Sequence, residues 1–337
     1  IIDNSEVYRK IVNAKKAENL YKSSLKVLRD NRIYLRSANV ENNRYEVTFT
    51  QSQYLNNPQS IGRVANILNE ISPDLIEEFS LGTINADQSL YSVDIPRSSY
   101  NLYKPGQKTD ALLEDVSIYK PDPKQHLAHD FRPRVKLPAG FYKISPAIRS
   151  QIGGPDGFYF GDISISVHSE VIIRPNFNIL AVGSIGLYNN FDELKLASDS
   201  ILPHVRTDIV KYLKGSEKSH ITRLQTNYFG NPYKSIYTKL SAGIFEPMFS
   251  GYGGEILYKP FGQSFAVGAE LWHVRQRSFR QLFSYRDYET VTGHMNFYYV
   301  EPTTRVLLHV RGGKYLAKDS GFTFNVSRDF ESGLNMG

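Results

Sequence analysis

The chain contains no cysteine, which excludes disulfides and thiolate metal sites at the outset. No run of about 18 apolar residues occurs, so no helix is expected to cross a membrane. A β-barrel is untouched by that exclusion, because its strands turn only half of their residues toward lipid. Long basic runs are missing as well: a formal charge of +6 is spread over 337 residues, and no nucleic-acid partner is expected. No leader pattern opens the chain at Ile1. The expectation is therefore a processed or partial piece of a longer polypeptide.

What is abundant is aromatic: 23 Tyr and 19 Phe against one Trp, the composition that interfacial girdles of a barrel consume. Between Tyr233 and His273 the residues alternate. Ile236, Thr238, Leu240, Ala242 and Ile244 oppose Ser235, Tyr237, Lys239, Ser241 and Gly243; Phe265, Val267, Ala269 and Leu271 oppose Ser264, Ala266, Gly268 and Glu270. Side chains along a strand point alternately to the two faces, so one face here is apolar and the other polar. The pattern predicts ten strands, at 141–149, 158–173, 177–188, 221–229, 233–246, 252–259, 264–275, 290–300, 303–312 and 321–329. The fold class expected is mainly β: an antiparallel transmembrane β-barrel, incomplete at its C-terminal end, preceded by an α+β domain.

Residues 5–30 carry apolar side chains at three- and four-residue spacing and predict a helix. A hairpin over 32–40 and 45–50 turns at Glu41-Asn42-Asn43-Arg44, a second helix runs from Asn57-Pro58 to about Ile71, and strands follow at 75–83 and 90–95. Residues 1–96 thus read as an α+β domain, built as two α-β-β copies. Residues 97–140, rich in proline, read as a connector lying over the next domain, and 141–337 as the barrel. Short predicted turns (174–176, 230–232, 260–263, 301–302) fall on one side of the sheet and longer links (150–157, 189–220, 247–251, 276–289, 313–320) on the other. Outer-membrane barrels keep short turns in the periplasm, which predicts a periplasmic location for residues 1–96. Residues 189–220 read as a helix in a loop, an inward plug, or an even number of extra strands.

No catalytic constellation stands out. His126 and His129 are spaced to share a metal with Asp130, but neighbouring prolines argue against the helix this needs, and a hydrogen-bonded or solvated pair is the ordinary reading. Asp192 and Glu193 read as a solvated loop face, and His220 and His294 lack a motif that would pair them with a nucleophile. Gly251-Tyr252-Gly253-Gly254-Glu255 lacks the Lys-Ser/Thr of a phosphate loop. No metal or cofactor is expected. The candidate site is a set of inward-facing side chains: Tyr237, Lys239, Glu270, His294, Asn296, Tyr298, Arg305, His309 and Arg311. Aromatic faces stack on sugars and cations bind the carboxylates of an acidic polysaccharide; a salt-bridged network filling a small barrel is the alternative.

Longer blocks carry a resemblance. PHVRTDIVKYLKG, RLQTNYFGNP, LSAGIFEPMFSGYGGEILYKPFG, HVRQRSF, DYETVTGHMNFYYVEP and GGKYLAKDSGFTFNVSRDFESG, with IGRVANILNEISPDLIEEF and YSVDIPRSSY earlier, resemble the YjbH family. Its members are outer-membrane proteins of exopolysaccharide and capsule operons in Gram-negative bacteria, larger than this chain: a first barrel, a soluble α/β region and a second barrel. The resemblance implies that the chain begins in the middle region and ends within the second barrel. Strand 321–329 is then followed by a turn at Glu331-Ser332-Gly333 and the start of another strand. The barrel is expected to stay open between strand 141–149 and the C-terminal strand, with further strands of the polypeptide or another chain closing it. The functional expectation is a non-enzymatic outer-membrane protein assisting export or assembly of an extracellular polysaccharide, as conduit or scaffold. Its partners would be membrane lipid, an acidic polysaccharide, and envelope proteins docking on residues 1–96. A machine subunit acting through the α+β domain and a barrel-based lipid- or glycan-modifying enzyme are the alternatives.

Overall fold

The computed structural model describes residues 4–52, 54, 57–102, 114–154, 157–195, 200–215, 219–330 and 334–337. The chain divides into two compact units, one built on Ile1–Val135 and one on Lys136–Gly230 with Ile236–Arg328.

In the first unit, α1 (Asn4–Asp30) leads into the hairpin of β1 (Ile33–Glu41) and β2 (Arg44–Gln51). α2 (Asn57–Ile71) then leads into the hairpin of β3 (Glu78–Asn85) and β4 (Gln88–Pro96). Both hairpins turn on two residues of positive φ: Asn42 at 48° and Asn43 at 63°, Ala86 at 47° and Asp87 at 62°. Such turns match the twist of the strands they join. The two α-β-β copies meet where β2 and β3 pair in parallel, an arrangement that requires the α2 crossover. Leu28, Leu68, Tyr45, Phe49, Phe79 and Leu81 form a buried core between helices and sheet.

The opposite face of this sheet is polar, and the stretch read as a connector covers part of it. Following α3 (Arg97–Leu102), Ser117–Tyr119 forms β5, which pairs with β4, and Phe131 bridges to Ala38 on β1. Proline richness hid this segment because three residues of strand carry no readable period. Residues 103–113 of that stretch lie outside the described residues. The histidines of the segment are buried, each facing its own carboxylate: His126 Nε2 lies 3.5 Å from Asp87 Oδ1 and His129 Nε2 3.2 Å from Glu46 Oε2. His129 Nδ1 also sits 2.9 Å from Ser37 Oγ. Among the described residues no group of three or more His, Asp or Glu side chains is placed to hold a metal.

The second unit is one antiparallel sheet. Its strands are β6 (Ala139–Gly154), β7 (Gly157–Arg174), β8 (Phe177–Asn189), β9 (Ser219–Tyr233), β10 (Ile236–Ile244), β11 (Phe249–Tyr258), β12 (Phe265–Arg277), β13 (Tyr285–Val300), β14 (Val306–Lys314), β15 (Ser320–Asp329) and β16 (Asn335–Met336). They pair strictly in sequence order, and among the described residues no ladder joins β6 to β15 or β16. Ten of the strands stand where alternation placed them, and the sheet is open as expected. The proposed turn at Glu331-Ser332-Gly333 lies outside the described residues. No described helix is long and apolar enough to cross a membrane.

Several boundaries differ from the sequence reading. β9 runs through Pro232 to Tyr233 and turns at Lys234-Ser235, where Ser235 has a φ of 67°. β6 and β7 stay paired as far as Gly154 and Gly157, so the link predicted at 150–157 is mostly strand. β13 begins at Tyr285, which shortens the link predicted at 276–289. The contrast between short and long turns therefore rests mainly on 190–218. Ile244, assigned by alternation to the outward series, is buried, because Gly243 at φ 126° interrupts the pleat.

The carboxyls of Glu46 and Asp87 are held below the ordinary range, chiefly by the imidazoles of His129 and His126 that face them. A carboxyl with a depressed folded value stabilises the fold above its unfolded value, about 4.3 for Glu and 3.9 for Asp. That stability is lost as pH falls through the lower folded value. Amide exchange over residues 117–131 is expected to accelerate below about pH 4, and Glu46→Gln with Asp87→Asn to remove this acid-dependent component. Unaltered acid sensitivity in the double variant would contradict it.

Candidate functional site

The large sheet is inverted relative to a water-soluble one. Leu240, Leu271, Met295, Phe322 and Phe324 are 59–77% exposed on one face, while Asn227, Ser241, Thr292, His294 and Asn296 on the other are at most 7% exposed. The polar face is the inner one.

Strand register builds the centre of that face. Lys239, Glu255, Glu270 and His294 form one rung across β10 to β13. Lys239 Nζ donates to Glu255 Oε1 at 2.9 Å. Glu270 lies 2.5 Å from Arg311 Nη2 and 3.0 Å from His294 Nδ1, and accepts from Trp272 Nε1 at 3.2 Å. On the next rungs Asn296 faces Arg311 and Tyr298 faces His309. Asn296 Oδ1 and His309 Nε2 are 2.9 Å apart, and the Tyr298 and His309 rings stack at 4.3 Å with 12° between planes. Tyr237 joins this face opposite Leu257. Eight of the nine candidate residues thus share one surface, and Glu255, Trp272 and Tyr315 complete it. Glu255 was legible from alternation through Gly253; Tyr315 lies beyond the end of β14 and had no periodic signal.

Arg305 is the exception. β14 starts at Val306, and Arg305 is exposed in the preceding turn at φ 58°, its N–H donating to Glu301 O at 2.8 Å. The reason is local: the Glu301 carboxylate accepts from Thr303 N, Thr304 N and Thr304 Oγ1, which extends the turn through residue 305. Those bonds pull the Glu301 carboxyl down to about 2.

One end of the inner face is occupied by the segment between β8 and β9. Among its described residues it contains no strand: a 3-10 turn at Phe191–Glu193 and a short helix, α4 (Ile209–Lys214). Phe191 and Leu194 pack on Phe160, an inner-face residue of β7. Tyr212 packs with Met248, Phe249 and Val274, the last two on the inner face of β11 and β12. Of the three readings of 189–220, helix and inward plug describe the same object. Arg277 fixes it. Its guanidinium is wholly buried and donates to the carbonyls of Ile221, Glu246, Pro247, Gln281 and Leu282. Tyr212 OH donates to Arg277 O at 2.5 Å, and Gln281 Nε2 to Tyr212 O at 2.7 Å. His220, left without a motif in sequence, is buried opposite Ser184.

The first unit holds a Ser–His–Glu contact set that sequence reading missed, because Ser37, Glu46 and His129 are far apart in the chain. Ser37 is fully buried, and the adjacent cavity of about 20 Å³ has room for a single water. The contact between Ser37 and His129 ties the segment to the sheet.

Removing the Arg277 guanidinium strips five carbonyls of their donor and frees Tyr212. Arg277→Leu is expected to raise tryptic cleavage after Lys211 and Lys214 at least tenfold, on the order of the 1–3 kcal/mol that each orphaned buried group costs. Cleavage at the wild-type rate would show that the insert is held by other contacts.

Comparison with known proteins adds the family. A curated relative, "Uncharacterized lipoprotein YjbH" of Escherichia coli (strain K12), is 31% identical over 205 residues, which are 58% of this chain and 29% of the relative. The match thus spans less than a third of that protein's length. No solved structure matches. The family profile described as exopolysaccharide biosynthesis protein YbjH covers residues 3–337. The chain belongs to the YjbH family of exopolysaccharide biosynthesis proteins.

Proposed function

We propose that the chain is part of an outer-membrane β-barrel protein that assists export or assembly of an extracellular polysaccharide, as conduit or scaffold and without covalent chemistry. The inverted sheet is the observation that carries this reading. Eleven strands expose a contiguous apolar, aromatic face, and in water such a face would be a large aggregation surface. Hydrocarbon is the solvent that suits it, and in hydrocarbon the backbone must be paired within a closed ladder. Residues matching the remainder of the relative, or another chain, would complete that closure. The related lipoprotein's name suits an envelope location, and the first unit, with its charged helix surfaces, would lie in the periplasm.

The inner face supports a passive role. Lys239 and Arg311, the cations offered to an acidic polysaccharide, are each engaged by a carboxylate. The polar rungs resemble a permanent lining more than a reactive centre. Acidic polysaccharide and envelope proteins remain part of the proposal as partners at the rim and at the first unit.

Arginine at Leu240 or Val267 is expected to destabilise the folded, lipid-inserted protein by about 2–4 kcal/mol, and at Ser241 by less apart from steric cost. Urea unfolding from vesicles measures this. Equal tolerance of both series would put the wrong face toward lipid.

A further inference from the structure

Between β11 and β14 the inner face holds a pocket of about 280 Å³, lined by Glu255, Leu257, Gly268, Glu270, Asn296 and Tyr298. We propose that this pocket is a subsite for one uncharged pyranose unit of a glycan. The inference rests on the polysaccharide reading above and adds to it the place and the class of sugar.

The pocket exists because position 268 has no side chain. A Cβ there would stand 3.1 Å from Ile256 O and 3.4 Å from Leu257 Cδ1, so anything larger fills the floor. One wall is a rigid aromatic platform. The Tyr298 ring is backed by the parallel imidazole of His309, which is itself held by Asn296. A ring fixed in this way loses little freedom when a sugar's C–H face lies against it. The polar wall consists of acceptors. Glu255 and Glu270 are cross-strand neighbours whose orientations are set by Lys239, Arg311, His294 and Trp272. Ionised carboxylates accept and never donate, so they suit the O–H groups of a neutral sugar.

The same wall selects against an acidic sugar. Lys239 and Arg311 are already paired, and a uronate carboxylate would be brought beside Glu255 and Glu270. Setting like charges together is one way a site rejects a competing ligand. Lys259 is the remaining cation of the pocket and is exposed at its mouth. A mostly apolar cleft with a few fixed polar groups is the usual form of a small-ligand site.

Trp272, the single tryptophan of the chain, donates to Glu270 and therefore reports on this wall. The full chain in detergent is titrated with maltohexaose, with cellohexaose and with trigalacturonate. Trp emission and calorimetry are followed together, so that a spectroscopically silent complex is still counted. The expected result is saturable binding of at least one neutral glycan and weaker or no binding of the uronate. Tyr298→Ala and Gly268→Leu should each weaken the neutral complex at least about tenfold, while Leu282→Ala in an exposed loop leaves it unchanged. Binding of neither neutral glycan, tighter binding of the uronate, or indifference to both pocket variants would overturn the proposal. Insertion into vesicles is scored on the same preparations. A chain that inserts but ignores neutral glycans sinks the subsite alone, whereas a chain that fails to insert even when the closing strands are supplied sinks the membrane reading whatever the glycans do.

Discussion

A β-sheet can direct its apolar side chains toward only one solvent, and in the large sheet of this protein they point outward. Everything else in that unit follows from this constraint. Ser, Thr, Asn and His side chains turned inward must find hydrogen-bond partners, because a polar group buried without one costs about 1–3 kcal/mol. Register supplies the partners: pairs such as Ser166 with Ser184, or Asn227 with Asn178 and Ser241, bond across neighbouring strands. The charged rung from Lys239 to His294 is the same solution with ions in place of amides. Removing Arg311 would leave the largely buried Glu270 carboxylate without that cation.

The insert between β8 and β9 meets the constraint in a different way. It brings Tyr212, Phe191 and Leu194 onto the inner face and so creates small apolar cores inside a polar lining. Arg277 lets this happen without a counter-ion, since five carbonyls of two loops and the start of β9 take up its donors. The insert thus covers one end of the inner face, and the pocket beside Gly268 lies toward the other.

Much of this was legible in the sequence, because strand period two and helix period 3.6 leave clear marks when one face differs from the other. The helices and hairpins of the first unit and ten strands of the second stand where periodicity placed them. The inner-face residues followed from parity alone, as Lys239, Glu270, His294 and Arg311 show. Failures cluster where local bonding overrides period. Glu301 captures three donors and pulls Arg305 out of β14; Gly243 breaks the pleat and buries Ile244; Ser235 moves a turn away from the apparent Gly-Asn-Pro signal. Three-residue β5 and the Arg277 cage carry no period, so only the folded chain shows them. Long-range sets such as Ser37, Glu46 and His129 are invisible for the same reason.

The central claim is that the apolar face meets lipid while the polar face does not, and the single tryptophan makes a direct test available. Trp272 lies on the inner face beside Glu270, whereas Met295 on β13 points outward. The protein is reconstituted in vesicles of brominated lipid, which quench tryptophan only on contact. The account predicts little quenching of native Trp272 and strong quenching of a Trp272→Phe, Met295→Trp variant. Strong quenching of Trp272, or none of the tryptophan at 295, would contradict it.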